Sequence, residues 1–358
     1  MPANIAYYVH HHGSGHVMRA IAICGALQNC QITFLGSNLH YYQNLIPAHI
    51  NCIHLPMDTA VNTDEHHDPV NPVAGLHYAP LNIKGLRDRN RLITEFFSNV
   101  YPLLLIVDVS VEMALLARLC GVPTVVVRQH GIRTDQPHIS AYQSASALLA
   151  PYPSWMHRSE EQWLTDKTLF TGGFSRYQSI IADSSKECSC SVAILTGKGG
   201  TSINVEFIKH LASQCQSWTF DIIGIDVPEL DSVPANVIFH GPIPDPYELL
   251  SKAEIVIGNT GHNTVMEMAS LNKRFIAIPE DRPFEEQLNK AELLEKAGLA
   301  TVINPIHLFS TNWQALLTSL RNTEPSWKDT IDPNAINQAA NGILSVYDSI
   351  YGQQSLTV

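Results

Sequence analysis

The chain has 358 residues, of which 45% are apolar and only 15% carry a formal charge, against about 25% in an average soluble domain. Its net charge of −11, with histidine neutral, excludes broad nucleic-acid binding, which needs a concentrated basic face. The apolar content excludes extensive disorder. The length favours two domains, because single hydrophobic cores stop growing near roughly 250–300 residues.

The seven cysteines are scattered and mostly lie in apolar segments, as Cys24 and Cys120 do. This pattern predicts a reducing compartment, so we expect a cytoplasmic protein. Cys188 and Cys190 are too close together for an ordinary zinc half-site and have no partner pair. No apolar stretch reaches the ~20 residues of a membrane span, since Asp108 interrupts the best candidate. The first residues also lack the basic region of a signal peptide.

Short apolar runs alternate with helical patterns along the first half of the chain. Ile5–Val9 is predicted to be a buried strand, and a helix follows from His16 to about Leu27. Pro56–Gly85 is polar and long, as functional or mobile loops often are. Strands that alternate with helices indicate βαβ units and a parallel sheet. The other predicted elements are strands at Gln31–Leu35, Asn51–Leu55, Leu103–Val107 and Thr124–Val127, and helices at Leu86–Val100 and Val111–Cys120.

The alternation weakens in a polar, serine-rich stretch between about Ser175 and Ser191 and then restarts. We therefore predict two α/β domains with doubly wound sheets. The strands predicted in the second domain are Val192–Leu195, Thr219–Ile223, Val237–His240, Ile255–Ile257 and Arg274–Ile278. Helices are predicted from Thr201, from His262, from Phe284 and over Ala335–Tyr351.

The weak stretch also sets the predicted domain boundaries. Residues 1–175 form an N-terminal Rossmann-like domain, and 176–190 form the linker. Residues 191–334 form the C-terminal domain, and 335–358 contain a helix that packs back on the N-terminal domain.

A glycine turn and an aspartate mark the predicted site in the first domain. In a doubly wound sheet, ligands bind beyond the carboxyl ends of the strands where the strand order reverses. The loop after the first strand carries Gly13, Gly15 and His16, and Asp108 ends the neighbouring strand. We therefore expect His16 and Asp108 to meet, with His16 as a neutral base at a helix N-terminus and Asp108 fixing its tautomer. Met18 replaces the third glycine of a dinucleotide fingerprint, so an oxidoreductase is disfavoured.

Two other polar clusters have the composition of metal ligands. Consecutive side chains at the end of an extended strand point in different directions, which argues against a metal at His10–His12. The acidic and histidine-rich run Asp64–Asp68 lies in the long polar loop and is expected to be solvated. We predict no metal site.

A second glycine-rich turn, Gly258–Thr264, joins a predicted strand to a helix in the C-terminal domain. The free N–H groups and the dipole of a helix N-terminus bind anions, commonly phosphate. Asn263 and Thr264 add side-chain donors, and Glu267 one turn further on suits the two hydroxyls of a ribose. Such residues are also ordinary N-caps, so this turn alone leaves the question open.

Two further patterns favour a ligand site. The turn Thr196–Ser202 contains Lys198, and because Gly199 follows the lysine it is not a Walker motif. The Glu286–Gln287 pair begins another predicted helix. Together with Glu267 these patterns favour a site for a phosphate, a ribose and a sugar.

At this point the sequence resembles the GT-B glycosyltransferases, particularly the MurG-like family 28 and the related UDP-glucuronosyltransferases. The resemblance spans both domains and is strongest over Ile255–Leu299. There, Gly261-His-Asn-Thr-x-x-Glu267 and Glu286-Gln-x-x-Lys-Ala291 follow the donor-binding signature in order. The looser N-terminal matches are Gly15-His16 with Arg19, Asp108, and Gly121-Val-Pro123.

The resemblance implies a GT-B fold, in which two doubly wound Rossmann-like domains face each other across a cleft. It implies an inverting, metal-independent transfer of a sugar from a nucleotide-diphosphate donor, most often UDP-linked, to a hydroxyl acceptor bound by the N-terminal domain. No further cofactor is implied, and the chain contains no Asp-x-Asp pair. His16 resembles the general base of these enzymes, and Asp108 its orienting partner.

Donor binding is expected mainly in the C-terminal domain. Glu267 resembles the ribose-binding glutamate, Gly261–Thr264 the diphosphate turn, Glu286 and Gln287 the sugar contacts, and His240 a neighbour of the base. Many relatives have histidine where Asn259 stands, so Lys198 or a backbone N–H would compensate. The candidate donor-binding residues are Gly15, Lys198, Gly199, Thr201, His240, Asn259, Gly261, His262, Asn263, Thr264, Glu267, Glu286 and Gln287.

Two alternatives to a transferase stay open. The run Gly13–Arg19 also resembles the UDP-sugar hydrolase of pseudaminic acid synthesis, in which water replaces the acceptor. The chain would otherwise be a catalytically silent nucleotide-sugar-binding protein. The acceptor is expected to be a glycan or a lipid-linked molecule. Arg87, Arg89 and Arg91 lie beside apolar residues, so this segment is either a patch for peripheral contact with the inner face of a membrane or, as is more common, a packed helix with a solvated face.

Overall fold

Two parallel β-sheets form the framework of the protein. The computed structural model describes residues 2–11, 15–68, 73–158, 161–180, 187–197, 199–226 and 233–352. The first sheet has the strand order β3-β2-β1-β4-β5-β6-β7, and the second has the order β10-β9-β8-β11-β12-β13. Every recorded strand pair in both sheets is parallel. The two sheets define an N-terminal and a C-terminal domain.

The N-terminal domain places the strand-order reversal between β1 and β4, as the sequence predicts. Its strands are almost continuously apolar because helices cover both faces of the sheet. The strands are β1 Ala3–Tyr8, β2 Cys30–Gly36, β3 Asn51–His54, β4 Leu104–Asp108, β5 Thr124–Val127, β6 Ala147–Ala150 and β7 Thr168–Phe170. The helices are α1 Gly15–Gly25, α2 Lys84–Asn99, α3 Val111–Leu119, α4 Gln136–Ser144 and α5 Gln162–Asp166.

The C-terminal domain repeats this arrangement, with the reversal between β8 and β11. The two glycine-rich turns follow these two strands, so they meet at one edge of the sheet. The strands are β8 Ser191–Leu195, β9 Thr219–Ile223, β10 Val237–Gly241, β11 Ile255–Gly258, β12 Arg274–Ala277 and β13 Thr301–Val302. The helices are α6 Val205–Gln214, α7 Tyr247–Lys252, α8 His262–Ser270, α9 Glu286–Lys296, α10 Trp313–Arg321 and α11 Ala335–Tyr351.

The last helix, α11, returns to the N-terminal domain. Its apolar face, which includes Ala339 and Ile343, is buried in the same core as Ile23 of α1. Backbone hydrogen bonds from Gly173 N to Thr330 O (2.8 Å) and from Asp332 N to Gly173 O (2.9 Å) join the two segments that cross between the domains. The chain therefore passes between the domains twice, and these crossings are paired.

Three predicted helix starts are wrong by two to four residues. The helix predicted from Leu86 begins at Lys84. The helix predicted from Thr201 begins at Val205, where the side chain of Asn204 caps it by accepting from Phe207 N at 2.9 Å. The helix predicted from Phe284 begins at Glu286, because Phe284 has left-handed backbone angles (φ 61°, ψ 23°). Sequence analysis also did not predict α4, α5, α7, α10, β6, β7 and β13.

Of the two interpretations of α2, the structure shows the packed helix with a solvated face, on which Arg87 and Arg91 are exposed. Arg89 is buried, and its guanidinium lies 2.9 Å from Asp58 Oδ2 and donates to Tyr8 Oη at 2.7 Å. Ile93 and Phe97 belong to the core, so this face of α2 is not available to a membrane. No helix in the described ranges has both the length and the hydropathy needed to cross a bilayer.

Candidate active site

A buried aspartate and a histidine meet at the β1/β4 edge, as the topology predicts. Asp108 ends β4 and is fully buried, and His16 is the second residue of α1. His16 Nδ1 lies 3.2 Å from Asp108 Oδ1. Arg19 Nη1 lies 3.3 Å from the same oxygen, and Tyr7 Oη donates to Oδ2 at 3.2 Å. The carboxylate thus lies within ion-pair distance of the imidazole, and Arg19 supplies the opposite charge that its burial requires.

The surroundings of Asp108 keep it ionised. Burial raises the pKa of this carboxyl, but Arg19 and His16 lower it more, and the net pKa lies below its ordinary value. The next residue, Val109, has a φ of 74°. A β-branched residue in this region is strained, and such strain often accompanies a functional site.

The two domains meet at the start of α8. Gly261 is the N-cap of α8, His262 is its first residue, and Asn263 faces Gly15 of the N-terminal domain. A Cβ atom added to Gly15 would lie 3.0 Å from Asn263 Nδ2. A side chain at position 15 would therefore press on the Asn263 amide, which would have to shift by a few tenths of an ångström. The pKa of His262 lies well below its usual range, because the imidazole is buried and lies near Lys290, Arg19 and His16. This imidazole is therefore neutral at pH 7.

A carboxylate of the chain itself occupies the edge between β8 and β11. Glu280 Oε1 accepts from Thr201 Oγ1 (3.0 Å), Ser202 N (2.6 Å), Ser202 Oγ (2.7 Å) and Asn259 Nδ2 (3.1 Å). Two of the predicted donor-binding residues thus share one acceptor. Sequence analysis missed Glu280, although four donors on one oxygen are the kind of environment that holds an anion.

The remainder of this turn is only partly described. Arg282 Nη2 donates to Gly200 O at 2.5 Å and lies against Gly199. Lys198, Gly13, Ser14 and His12 lie outside the described residues.

Glu267, the predicted ribose contact, lies in an ion pair. It is 7% exposed, and its Oε1 accepts from Arg176 Nε at 2.9 Å. Arg176 also donates to Pro244 O at 2.8 Å, and its guanidinium packs over the ring of Tyr177. Burial raises the pKa of Glu267, while Arg176 opposes the shift. Arg176 comes from the predicted linker, which carried no sequence signal for a role in the site.

The Glu286–Gln287 pair divides between two environments. Gln287 is buried, and its Oε1 accepts from Glu280 N at 3.0 Å. Glu286 faces the other domain, with its carboxylate 3.9 Å from Arg133 Nη2 and 3.6 Å from Lys290 Nζ. Glu286 therefore lies where the two domains meet, whereas Gln287 positions the backbone that carries Glu280.

His240 lies apart from the rest of the site. It is on β10 at the edge of the second sheet, and its Nε2 is 2.6 Å from Asp221 Oδ1 on β9. The predicted contact with the base of the nucleotide involves the backbone around His240 and stays a prediction.

Residues 200–344 match the model of the glycosyltransferase family 28 C-terminal domain. We refer to residues 200–344 as the family 28 domain after this match. This domain contains the start of α8, Glu267, Glu280 and the Glu286–Gln287 pair.

The whole chain is similar to the crystal structure of MurG from Acinetobacter baumannii. The TM-score is 0.67 at 16% identity, over 96% of this chain and 100% of that one. At this identity the likeness concerns the fold, and it confirms the predicted GT-B architecture of two doubly wound domains.

Curated proteins match shorter segments of the chain. An uncharacterized glycosyltransferase of Methanosarcina mazei is 32% identical over 74 residues, which are 21% of this chain and 19% of that protein. The UDP-N-acetylglucosamine–N-acetylmuramyl-(pentapeptide) pyrophosphoryl-undecaprenol N-acetylglucosamine transferase of Clostridium perfringens is 29% identical over 105 residues, 29% of each chain. The matches span less than a third of the length of either relative.

A phenylalanine of the family 28 domain inserts into the N-terminal domain. The ring of Phe284 lies 4.9 Å from the Arg133 guanidinium, 4.7 Å from the ring of His138 and 5.0 Å from that of His77. Its carbonyl accepts from Ile132 N at 2.7 Å. We call the contacts of Phe284 with Ile132, Arg133, His138 and His77 the clasp. Phe284 and Glu285 both have positive φ, so contacts between the domains hold the clasp in a strained conformation.

Removing the ring is expected to loosen the contact between the domains. Phe284→Ala loses the packing of the ring and its cation–π contact with Arg133. The cation–π contact alone is worth about 0.5–1 kcal/mol. The radius of gyration measured by small-angle scattering without ligand should increase. Phe309→Ala is the matched control, because Phe309 is exposed and its ring lies against Phe207 and His210 of the family 28 domain. An unchanged radius in Phe284→Ala would show that the clasp does not hold the domains together.

Near the clasp, three side chains have the composition of a metal site. One ligand atom from each of His77, Asp135 and His138 lies within 4.8 Å of the others. Arg133 Nη1, which only donates, lies 2.9 Å from His138 Nε2, so Nε2 accepts and Nδ1 carries the proton that faces Asp135 at 2.6 Å. With both nitrogens engaged, His138 has no lone pair for a metal, and the cluster anchors the clasp.

Proposed function

We propose that the protein is an inverting, metal-independent glycosyltransferase that moves a sugar from a UDP-linked donor to a hydroxyl acceptor. The observation that carries this proposal is the His16–Asp108 pair facing the N-terminus of α8 across the cleft. A base on one side and an anion-binding helix end on the other suit displacement of a nucleotide diphosphate. The family 28 match of residues 200–344 supports the same reaction class.

The chemistry follows from the two nitrogens of His16. With the proton on Nδ1 held toward Asp108, the lone pair of Nε2 removes the proton from the acceptor hydroxyl. The acceptor oxygen then bonds to the anomeric carbon as the bond from that carbon to the diphosphate oxygen breaks. The imidazolium that forms is stabilised by Asp108, and the departing negative charge is stabilised by the N–H groups at the start of α8.

The donor nucleotide is expected to bind the C-terminal domain. Glu267 holds the ribose hydroxyls, and Asn263 and Thr264 hold the diphosphate. UDP is supported by the name of the Clostridium perfringens relative, whose donor is UDP-N-acetylglucosamine. That name also includes a lipid-linked acceptor, pyrophosphoryl-undecaprenol. We therefore include a lipid-linked acceptor among those tested in the product assay.

We also propose a cytoplasmic location, with the reaction at the inner face of the membrane when the acceptor is lipid-linked. The seven cysteines are all free thiols, which suits a reducing compartment. Co-sedimentation with anionic vesicles tests the membrane contact. Protein that stays in the supernatant at physiological salt would contradict it.

The reaction is tested by mass spectrometry of the products. We expect a UDP-sugar and a hydroxyl acceptor to give UDP and a glycoside of inverted anomeric configuration, with full activity after chelation of divalent metals. Release of free sugar at the same rate without acceptor would instead identify a hydrolase. UDP binding without turnover over a broad panel would identify a silent binding protein.

Replacing the ribose contact is expected to weaken nucleotide binding selectively. Glu267→Gln keeps the shape of the side chain but loses the carboxylate, whose two oxygens accept the two hydroxyl hydrogen bonds. The Kd for UDP should therefore rise about 10- to 100-fold. Isothermal titration calorimetry measures this change. Glu295→Gln, an exposed glutamate of α9, should leave the Kd unchanged. Equal affinities of wild type and Glu267→Gln would remove Glu267 from the nucleotide site.

A further inference from the structure

The carboxylate of Glu280 engages the hydrogen-bond donors at the edge between β8 and β11. Its Oε1 accepts from Thr201 Oγ1, from the backbone N and the Oγ of Ser202, and from Asn259 Nδ2. We call these four groups the edge donors. Each hydroxyl and the backbone N–H has a single hydrogen to donate, and the other hydrogen of the Asn259 amide is donated to Ile278 O at 3.0 Å. The edge donors therefore have no hydrogen left for a second anion.

The edge donors lie where an anion is expected to bind. They follow β8 and β11, the two strands between which the order of the second sheet reverses, and ligands bind at such reversals. Thr201 and Asn259 are also predicted contacts of the donor. Within the described part of the chain, Glu280 forms hydrogen bonds but no ion pair with a lysine, an arginine or a histidine. Convergent neutral donors of this kind bind phosphate oxygens as well as carboxylate oxygens.

The side chain of Glu280 can leave this position without unfolding of its loop. It is half-buried, and its backbone N–H is held separately by Gln287 Oε1 at 3.0 Å. Arg282 donates to Gly200 O at 2.5 Å, in the turn that carries two of the residues with edge donors, and it also lines a cavity of about 580 Å³ with Ile132 of the N-terminal domain. The edge donors therefore adjoin an open cavity at the contact between the domains.

We propose that Glu280 competes with the diphosphate of the donor for the edge donors, closing the empty site and returning to it as the nucleotide product leaves. The inference rests on the proposed function and adds how the same site opens and closes. A phosphate oxygen and the Glu280 carboxylate exclude each other, because two anions at hydrogen-bond distance from the same hydrogens repel in a half-buried site. The competition favours product release, since Glu280 takes up the hydrogen bonds that UDP gives up.

Isothermal titration calorimetry at pH 7 with UDP and with inorganic pyrophosphate tests the competition. Glu280→Ala should bind both ligands at least about fivefold more tightly than the wild type, the lower end of ordinary coupling free energies. Glu280→Gln is a weaker acceptor of similar shape, so both of its Kd values should fall as well. Asp281→Ala is the matched control, because Asp281 is an exposed carboxylate next in the chain. Its Kd values should stay within about twofold of the wild type, since an exposed charge is screened by water and salt.

A purely structural role of Glu280 predicts the opposite sign. If Glu280 only braced the turn, its removal would disorder the edge donors, and both ligands would bind more weakly. Equal or weaker binding by Glu280→Ala and Glu280→Gln therefore overturns the inference, while UDP binding by the wild type leaves the proposed function standing. An equal gain in Asp281→Ala assigns the effect to net charge and also overturns the inference. UDP binding by neither the wild type nor the variants overturns both proposals.

The structure of the UDP complex gives a second readout. With UDP bound, Ser202 N and Asn259 Nδ2 should lie about 2.7–3.2 Å from a phosphate oxygen, and the side chain of Glu280 should have rotated away from them. In steady-state assays the inhibition constant of UDP should fall in Glu280→Ala together with its Kd. A complex in which Glu280 still accepts from Ser202 N beside bound UDP would contradict the proposal.

Discussion

His16→Ala is expected to lower kcat by about 10²- to 10⁴-fold, the range typical for removal of a general base. The side chain of His16 is 15% exposed and lies 3.2 Å from the buried Asp108 carboxylate, so it is held in place yet accessible from the cleft. Without the imidazole, the acceptor hydroxyl loses the base that lies beside Asp108. Steady-state turnover of UDP-sugar and acceptor measures the loss.

Binding should separate this effect from a folding defect. The Kd for UDP is expected to stay within a few fold of the wild type, because the nucleotide contacts lie in the C-terminal domain. His49→Ala replaces an exposed histidine of the same domain and should retain full activity. Unchanged turnover in His16→Ala would remove His16 from the mechanism.

Asp108→Asn is expected to have the second largest effect, with losses in both catalysis and stability. The amide no longer favours the tautomer with the proton on His16 Nδ1, so kcat should fall by about 10²- to 10⁴-fold. Arg19, which is 7% exposed and 3.3 Å from Asp108 Oδ1, becomes a buried charge without its partner. Loss of one member of a buried ion pair costs about 3–5 kcal/mol in the free energy of unfolding, measured by urea denaturation.

A double variant separates the two consequences. Arg19→Met combined with Asp108→Asn removes the unpaired charge, so stability should recover in part while activity stays low. Recovery of activity together with stability would mean that Asp108 acts only as a structural partner of Arg19.

The pH dependence of stability has a defined sign. The pKa of Asp108 is lowered in the folded protein, so its ionised form contributes stability above the ordinary aspartate pKa of about 3.9. That contribution is lost as the pH falls through the lower folded pKa. The stability difference between wild type and Asp108→Asn should therefore be full at pH 7 and shrink below about pH 4.

Local patterns allowed much of the fold to be predicted. Apolar runs such as Leu103–Val107 predict buried parallel strands because helices must cover both faces of such a sheet. The order of strands and helices then places the reversal between β1 and β4, which brings His16 to Asp108 across about 90 residues of sequence. Turn residues at the start of α8 predict an anion site for the same local reason.

Local patterns were weaker where strands were short or backbone angles unusual. β6 and β7 have four and three residues, too few for a clear alternation. Phe284 and Glu285 look like the start of a helix in sequence, but contacts with Arg133 and Ile132 hold their backbone at positive φ. The arginines and apolar residues of α2 resemble a membrane patch in sequence. In the structure, Arg89 instead lies in a buried pair with Asp58.

The sequence by itself determined the two-domain α/β architecture, the His16–Asp108 pair and the order of the donor-binding motifs. Only the tertiary structure decided which polar and charged groups meet. These are Arg176 with Glu267, Glu280 with Thr201, Ser202 and Asn259, and Glu286 with Arg133 and Lys290. The physical reason is that hydrophobic periodicity sets the face of an element that is buried. The partner of a polar side chain depends instead on how separate elements and domains pack, and no local pattern encodes that distance.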